Sequence, residues 1–222
     1  MSIVVVKIGG RVAVTAATEA VALREDGHDV VVVHGAGPQI TTEMERRGIE
    51  PSFVNGRRVT TPAVLDVVRE SLLDVNSEVC AVLGPDAVGL VGDEIGLTAE
   101  RVEALGLVGH PLPSAPEAVA DTLAAGKIPV IAPLAVGPLN VNADEAAAAL
   151  AVGLGAERIV FVTDVPGVFY DGEVVEEIAV ADAEELLGAG AFEGGIVPKL
   201  DAAVRAARGG VRAAIGRTEV VA

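Results

Sequence analysis

The sequence has no tryptophan, one tyrosine and four phenylalanines, so aromatic residues make up only 2% of it. The core of this 222-residue chain must be filled by the Val, Ala, Leu and Ile that dominate its 51% hydrophobic content. Such a composition suits helices packed on a parallel sheet. Cysteine is nearly absent too. Cys80 stands alone, which excludes an intrachain disulfide and fits a reducing cytoplasm. Cys80 itself reads as a small apolar residue on a helix. No stretch approaches the ~20 apolar residues of a membrane span. The N-terminal apolar run is interrupted at once by Lys7 and a glycine pair, so a signal peptide is not expected. The protein is expected to be soluble and cytoplasmic.

Positive charge is the other scarcity. Sixteen Lys and Arg stand against thirty-two Asp and Glu, a formal net charge of -16 at pH 7. Nucleic acid and anionic membranes are therefore poor partners, and any bound phosphate must be held by local cations and backbone amides. Only Lys7, Lys127 and Lys199 are lysines, against thirteen arginines. Lys7 and Lys199 both stand close to glycine pairs, which suggests sites needing a compact ammonium. Taken alone, Lys7 is equally a strand-end lysine reaching solvent.

Residues 2–8 read as a buried strand opening into Gly9-Gly10. A lysine near its end needs water or a fixed negative charge, and strand ends of open α/β sheets are where ligands bind. After a helix at 15–25, a second buried strand (30–33) runs into His34-Gly35-Ala36-Gly37-Pro38 and a helix from Pro38. This is either an anion cradle or a plain tight turn. It lacks the ending of a Walker loop and the third glycine of a dinucleotide fingerprint. Arg57-Arg58 is either a carboxylate grip or a solvated pair. A long helix follows from Thr61-Pro62 to about Leu83, then a strand at 87–91 and a hairpin around Gly92-Asp93-Glu94.

Further on, a helix at 118–126 and a strand at 128–133 precede Asn140-Val141-Asn142-Ala143-Asp144 and an Ala-rich helix. Asn142 or Asp144 caps that helix, which leaves the other polar residues of the pattern unexplained. The second half repeats the theme: a strand at 158–163, a turn at Asp164–Phe169, a hairpin at Asp171-Gly172 and a helix at 181–187. Lys199 stands at the start of a helix reading 200–208, where a cation opposes the helix dipole unless an anion lies between them. Strands alternating with helices predict an α/β fold, a mostly parallel open sheet sandwiched by helices, in one domain with two lobes.

In this order, Lys-Ile-Gly-Gly at 7–10, His-Gly-Ala-Gly-Pro at 34–38, Gly-Arg-Arg-Val-Thr at 56–60, Asn-Val-Asn-Ala-Asp at 140–144, Thr-Asp-Val-Pro-Gly-Val at 163–168 and Gly-Gly-Ile-Val-Pro-Lys at 194–199 resemble the amino-acid kinase family. Within it they are most similar to the acetylglutamate kinases. The resemblance implies the carbamate kinase-like fold and phosphorylation of the side-chain carboxylate of N-acetylglutamate by MgATP, a step of arginine biosynthesis. Lys7 and Lys199 would neutralise the transferring phosphoryl, and Asp144 would hold both ammonium groups. Gly10, Ala36 and Gly37 would form the substrate turn, while Arg58 and Asn140, with Asn142 nearby, would clasp the α-carboxylate. Asp164, Val165, Pro166, Gly167, Val168 and Phe169, with Ala191, Phe192 and Glu193, would line the nucleotide site. The lobe at about 1–138 would take the acyl amino acid and that at about 139–222 the nucleotide. No cluster has metal-ligand spacing, so magnesium is expected to arrive on ATP.

Three departures stand out. Ala36 replaces a usual glycine, which raises a question of specificity. The chain ends soon after Gly216-Arg217-Thr218, where the family carries a further strand or hairpin. It also starts directly at the first strand, without the helix that joins arginine-inhibited hexamers, so a homodimer without arginine feedback is expected. Two alternatives stand beside this reading. One is a kinase for an aminoadipyl or glutamyl group on an acidic carrier protein, for which a chain at -16 is poorly suited. The other is a non-catalytic sensor, against which the intact Lys7, Asp144 and Lys199 argue.

Overall fold

The computed structural model describes residues 2–9, 13–54 and 56–222. In chain order the first half comprises β1 (Ile3–Ile8), α1 (Ala13–Glu25), β2 (Asp29–His34), α2 (Gly37–Arg46), β3 (Phe53–Val54), β4 (Arg57–Arg58), α3 (Pro62–Leu83), β5 (Ala87–Val91), β6 (Ala99–Arg101), β7 (Val108–Pro111), α4 (Glu117–Ala124) and β8 (Ile128–Ala132). The second half comprises β9 (Leu134–Ala135), β10 (Leu139–Val141), α5 (Ala143–Gly153), β11 (Arg158–Phe161), β12 (Phe169–Tyr170), β13 (Glu173–Val174), β14 (Glu177–Ala179), α6 (Val180–Gly188), α7 (Ile196–Arg208), β15 (Arg212–Ile215) and β16 (Thr218–Val221).

One eight-stranded sheet runs β14-β16-β15-β11-β1-β2-β8-β5. Strands β15 through β5 are parallel to one another, and only the β16 and β14 edge runs opposite. The expected mostly parallel sheet is therefore present. Its centre is the Val-rich β1, flanked by β2 and β11, with no charged residue except Lys7. Such a strand, buried on both faces, is what a covered parallel sheet requires. The chain leaves β1 in one direction for β2 and returns on its other side with β11. That reversal opens a crevice at the strands' carboxyl ends.

Two apolar clusters cover the two faces. One joins β2, β8 and β1 to α2 and α3; the other packs α5 and α7 on the same sheet. Helix α5 buries Ala146, Ala147, Ala148, Ala149, Leu150 and Ala151, and α7 buries Ala202, Ala203, Ala206 and Ala207. These small side chains let the two helices approach closely, which fits a core with few aromatics.

Three expectations are corrected. Gly92 does start a turn, but no hairpin forms there: β5 pairs with β8, whereas β6 belongs to a separate four-stranded sheet, β6-β7-β10-β9. The turn is held inward instead, since a Cβ on Gly92 would stand 2.1 Å from the Leu134 carbonyl. The C-terminal segment is not short of a hairpin. Strands β15 and β16 form one, with Gly216 (φ 55°) at its turn. Finally, α7 begins at Ile196, so Lys199 lies at the end of its first turn.

Candidate active site

At the carboxyl ends of the central strands lies a cavity of about 550 Å³. It brings together Lys7 from β1, Ala36 and Gly37 from the turn after β2, Arg58 from β4, and Asn140, Asn142 and Asp144 around the start of α5. Thr163 and Asp164 beyond β11, Gly195 before α7, Lys199 on α7, and Phe53 and Arg57 of the β3–β4 pair also line it. Gly10 lies outside the described residues.

The start of α5 organises the charge. The Asn142 side-chain oxygen accepts from the amides of Asp144 (2.8 Å) and Glu145 (3.1 Å), so it caps the helix. Asp144, thus placed in a positive helix end, sits 2.8 Å from Lys7 Nζ and 3.2 Å from Lys199 Nζ. Lys7 and Asp144 are each only 5% exposed. Burial lowers the Lys7 pKa below the usual lysine range; Asp144 opposes that shift, and the neighbouring Lys199 adds to it. Two ammonium groups sharing one carboxylate leave a net positive charge facing the cavity. The Asp144 carboxylate is itself the anion that the helix-dipole mismatch at Lys199 called for.

Arg57 and Arg58 are adjacent on β4, so their side chains take opposite faces. Arg57 pairs bidentately with Glu145, at 2.7 and 2.8 Å. Arg58 is buried, donates to Thr41 Oγ1 (2.8 Å) and the Gly37 carbonyl (3.3 Å), and lies 4.6 Å from the centre of the Phe53 ring. Among the described residues none of its hydrogen-bond partners is a carboxylate, and burial pulls its pKa down. A buried guanidinium on neutral partners at a cavity wall is suited to receive an anion. Thr60 donates to the Arg58 carbonyl (2.8 Å) and accepts from the Asn140 amide (3.0 Å), tying these two candidate residues together.

Two helix starts reach the cavity without a side-chain cap, α2 at Ala36 and α7 at Gly195. Their free amides can bind an anion. Ala36 has φ −138°, a conformation open to alanine, and its side chain belongs to the buried core. Behind this turn, His34 is fully buried. The Asn76 amide donates to His34 Nε2 (3.1 Å) and to the Val130 carbonyl (2.9 Å), which assigns the His34 proton to Nδ1. Burial holds the His34 pKa at about 4, with Lys7 pushing the same way and the Gly35 backbone opposing.

The model for the amino acid kinase family matches residues 2–216 of this chain. The chain belongs to the amino acid kinase family. The acetylglutamate kinase of Frankia casuarinae is 44% identical over 94% of this chain, which spans 64% of that protein's length. That of Acidothermus cellulolyticus is 43% identical over 95% of the chain and 81% of its own length. Among solved structures, smu.665 from Streptococcus mutans UA159 superposes with a TM-score of 0.89 at 28% identity, covering 99% of this chain and 98% of its own.

In this member of the family, the candidates for nucleotide contact divide. Asp164 lines the cavity, whereas Val165, Pro166, Gly167, Val168 and Phe169, and the segment Ala191, Phe192 and Glu193, lie outside its wall. Val168 and Phe192 are core residues, so they shape this region by packing. Gly167 has a steric reason to be glycine, since a Cβ there would come within 2.6 Å of Thr218 Oγ1. Val165, Phe169 and Tyr170 are exposed. Glu145, His110, Thr60 and the His34–Asn76 pair were missed as site residues. The partners of Glu145, His110 and Asn76 are distant in sequence, while His34 and Thr60 stand inside the motifs at 34–38 and 56–60 with nothing local to mark their roles.

Proposed function

We propose that this chain transfers the γ-phosphoryl group of ATP to the side-chain carboxylate of N-acetyl-L-glutamate, giving an acyl phosphate in arginine biosynthesis. The observation that carries the reading is the Lys7–Asp144–Lys199 set beside the buried Arg58 in one cavity. Likeness to acetylglutamate kinases at 43–45% identity supports the choice of acceptor.

Arg58, with Asn140, receives the α-carboxylate and leaves the side-chain carboxylate pointing toward Lys7. A carboxylate oxygen forms the new bond to the γ-phosphorus as the bridging bond to the β-phosphate breaks, and ADP departs with the bond's electrons. Such a transfer asks for alignment and cationic charge around the phosphoryl oxygens. Lys7 supplies that charge from the acceptor side and Lys199 from the nucleotide side. The half up to about residue 138 takes the acyl amino acid, and the half from about 139, with the exposed Val165 and Phe169, takes the nucleotide. Of the two cavity carboxylates among the described residues, Asp144 is engaged by both lysines, and Asp164 is exposed and accepts from Thr163 Oγ1 at 3.4 Å. That donor set fits magnesium carried on the nucleotide phosphates, with few protein ligands. We place the reaction in the cytoplasm, and in a homodimer because edge strand β5 (Ala87–Val91) carries no charged side chain.

The test is ADP release from MgATP with N-acetylglutamate, glutamate, aminoadipate or acetylaminoadipate, in the wild type and in Lys7→Ala and Lys199→Ala. Turnover with N-acetylglutamate that collapses in both variants is the expected result. ATP binding without turnover of any free acceptor overturns it in favour of a carrier-linked acceptor or a sensor. Sedimentation reports the assembly state.

A further inference from the structure

Beside the lysine-bearing carboxylate stands a second one that the reaction does not use. Glu145 follows Asp144 in the first turn of α5, and it is 7% exposed. Its oxygens take the Arg57 guanidinium at 2.7 and 2.8 Å, and its Oε2 lies 3.0 Å from His110 Nδ1. The other ring nitrogen of His110, Nε2, faces Arg205 of α7, and Arg57 also reaches His110 Nδ1, at 3.1 Å. A protonated Nδ1 donates to Glu145, and an unprotonated one accepts from Arg57, so the ring engages this pair in either tautomer. The network thus joins the β3–β4 hairpin, the small sheet through β7, the start of α5, and α7.

We propose that Glu145 is a positioning residue: by gripping Arg57 it pins the β3–β4 hairpin to α5, and so fixes Arg58, the next residue, in the cavity for the acyl amino acid. The geometry is one of alternation. Neighbouring side chains on an extended pair take opposite faces; both arginines border the cavity, and holding Arg57 against Glu145 fixes the face from which Arg58 reaches Gly37 and Thr41. The hairpin needs such a hold. Among the described residues its two strands are two residues each and pair with each other, with Phe53 and Val54 exposed; the neighbouring backbone tie is at Thr60, which bonds Leu105 and Leu107, and a strand pair of that size is marginal in water. The anchor is also the turn that carries Asp144. Substrate grip and phosphoryl grip are therefore referenced to one helix end.

The inference rests on the acceptor reading above, so its test has one arm that needs no acceptor. Amide hydrogen exchange is measured on the hairpin and on α5 in the wild type, Glu145→Gln and Arg57→Gln. Faster exchange in the hairpin with α5 unchanged is expected; unchanged hairpin exchange overturns the proposal whatever the acceptor is. In steady-state kinetics, both variants should raise KM for N-acetylglutamate by roughly tenfold or more, the scale of a lost alignment, with KM for ATP within about twofold. The double variant Arg57→Gln/Glu145→Gln should be no worse than either single one, because both remove the same contact. Arg57→Lys, which keeps charge but not the bidentate fork, should recover part of the loss. Equal rises in both KM values, or additive losses, refute positioning through Arg57. If the hairpin loosens as expected while wild type turns over no N-acetylglutamate, the acceptor assignment fails and the anchor stands.

Discussion

Replacing Asp144 by Asn removes one negative charge from between two ammonium groups while keeping size and most hydrogen bonding. At an effective dielectric near 20, unit charges about 3 Å apart attract by about 5 kcal/mol. Removing one partner of a buried pair costs about 3–5 kcal/mol net. Lys199 is less deeply buried than Lys7 and can turn toward water, so the penalty concentrates on Lys7. Lys7 already sits below the usual lysine range because burial outweighs the attraction of Asp144. Without that attraction its pKa falls further. The sign of the pH dependence follows. A folded state that sheds its proton before the unfolded state gains stability as pH rises from the folded pKa toward the ordinary 10.5. The same deprotonation removes the ammonium that faces the phosphoryl group, so activity falls over that window. Asp144→Asn should therefore lower Tm at neutral pH, recover stability with rising pH more steeply than wild type, and move the alkaline limb of kcat to lower pH. Its kcat at neutral pH should drop by about 10²–10³, the scale of losing an oriented charge. Thermal melts and ADP release from pH 6 to 10 measure both, with Lys7→Met as the control in which the extra pH dependence vanishes. An alkaline limb and a melting profile parallel to those of wild type would refute the claim that Asp144 holds Lys7 charged.

Arg58→Ala should raise KM for N-acetylglutamate by tens to about a hundredfold, as expected for about 2–3 kcal/mol of charge-assisted hydrogen bonding; calorimetry should find ATP binding unchanged. His34 stays neutral in the fold with a pKa of about 4, against 6.5 when unfolded. Stability is then complete above pH 6.5 and is lost as pH falls toward 4, by up to about 3 kcal/mol. His34→Gln should flatten that acid slope in urea titrations. Asn142→Ala loses the cap of α5 and should cost about 1 kcal/mol of stability, or about 2–4 °C in Tm at this chain length. Because that cap positions Asp144, kcat should fall further than the melting shift accounts for.

The parallel sheet, most helices and the charge pair Lys7 and Lys199 were legible because each follows from a local rule. Buried strands read as Val runs, helices announce their caps, and a lysine at a positive helix end declares a missing anion. Asp144 and Arg58 were legible only through the family resemblance, since a capping motif and an arginine pair each have an ordinary explanation. The β6-β7-β10-β9 sheet was not legible. Its strands are two to four residues long, too short for alternation to register. The supposed hairpin at Gly92 failed for a related reason: a turn signal reports a change of direction and not the strand that will be met next. Glu145 and His110 are 35 residues apart, and no spacing rule links them.

The alanine faces of α5 and α7 have a consequence for how this protein tolerates change. A large core side chain can yield by switching rotamer, but an alanine has none to switch, so a bulkier residue must displace the helix itself. Here the displaced helix carries Asp144 at one end. In a library scored separately for cellular abundance and for turnover, substitutions from Ala146 to Ala151 should therefore include many that remain abundant yet are inactive. The catalytic footprint proposed for this chain then reaches the buried residues from Ala146 to Ala151, none of which lines the cavity.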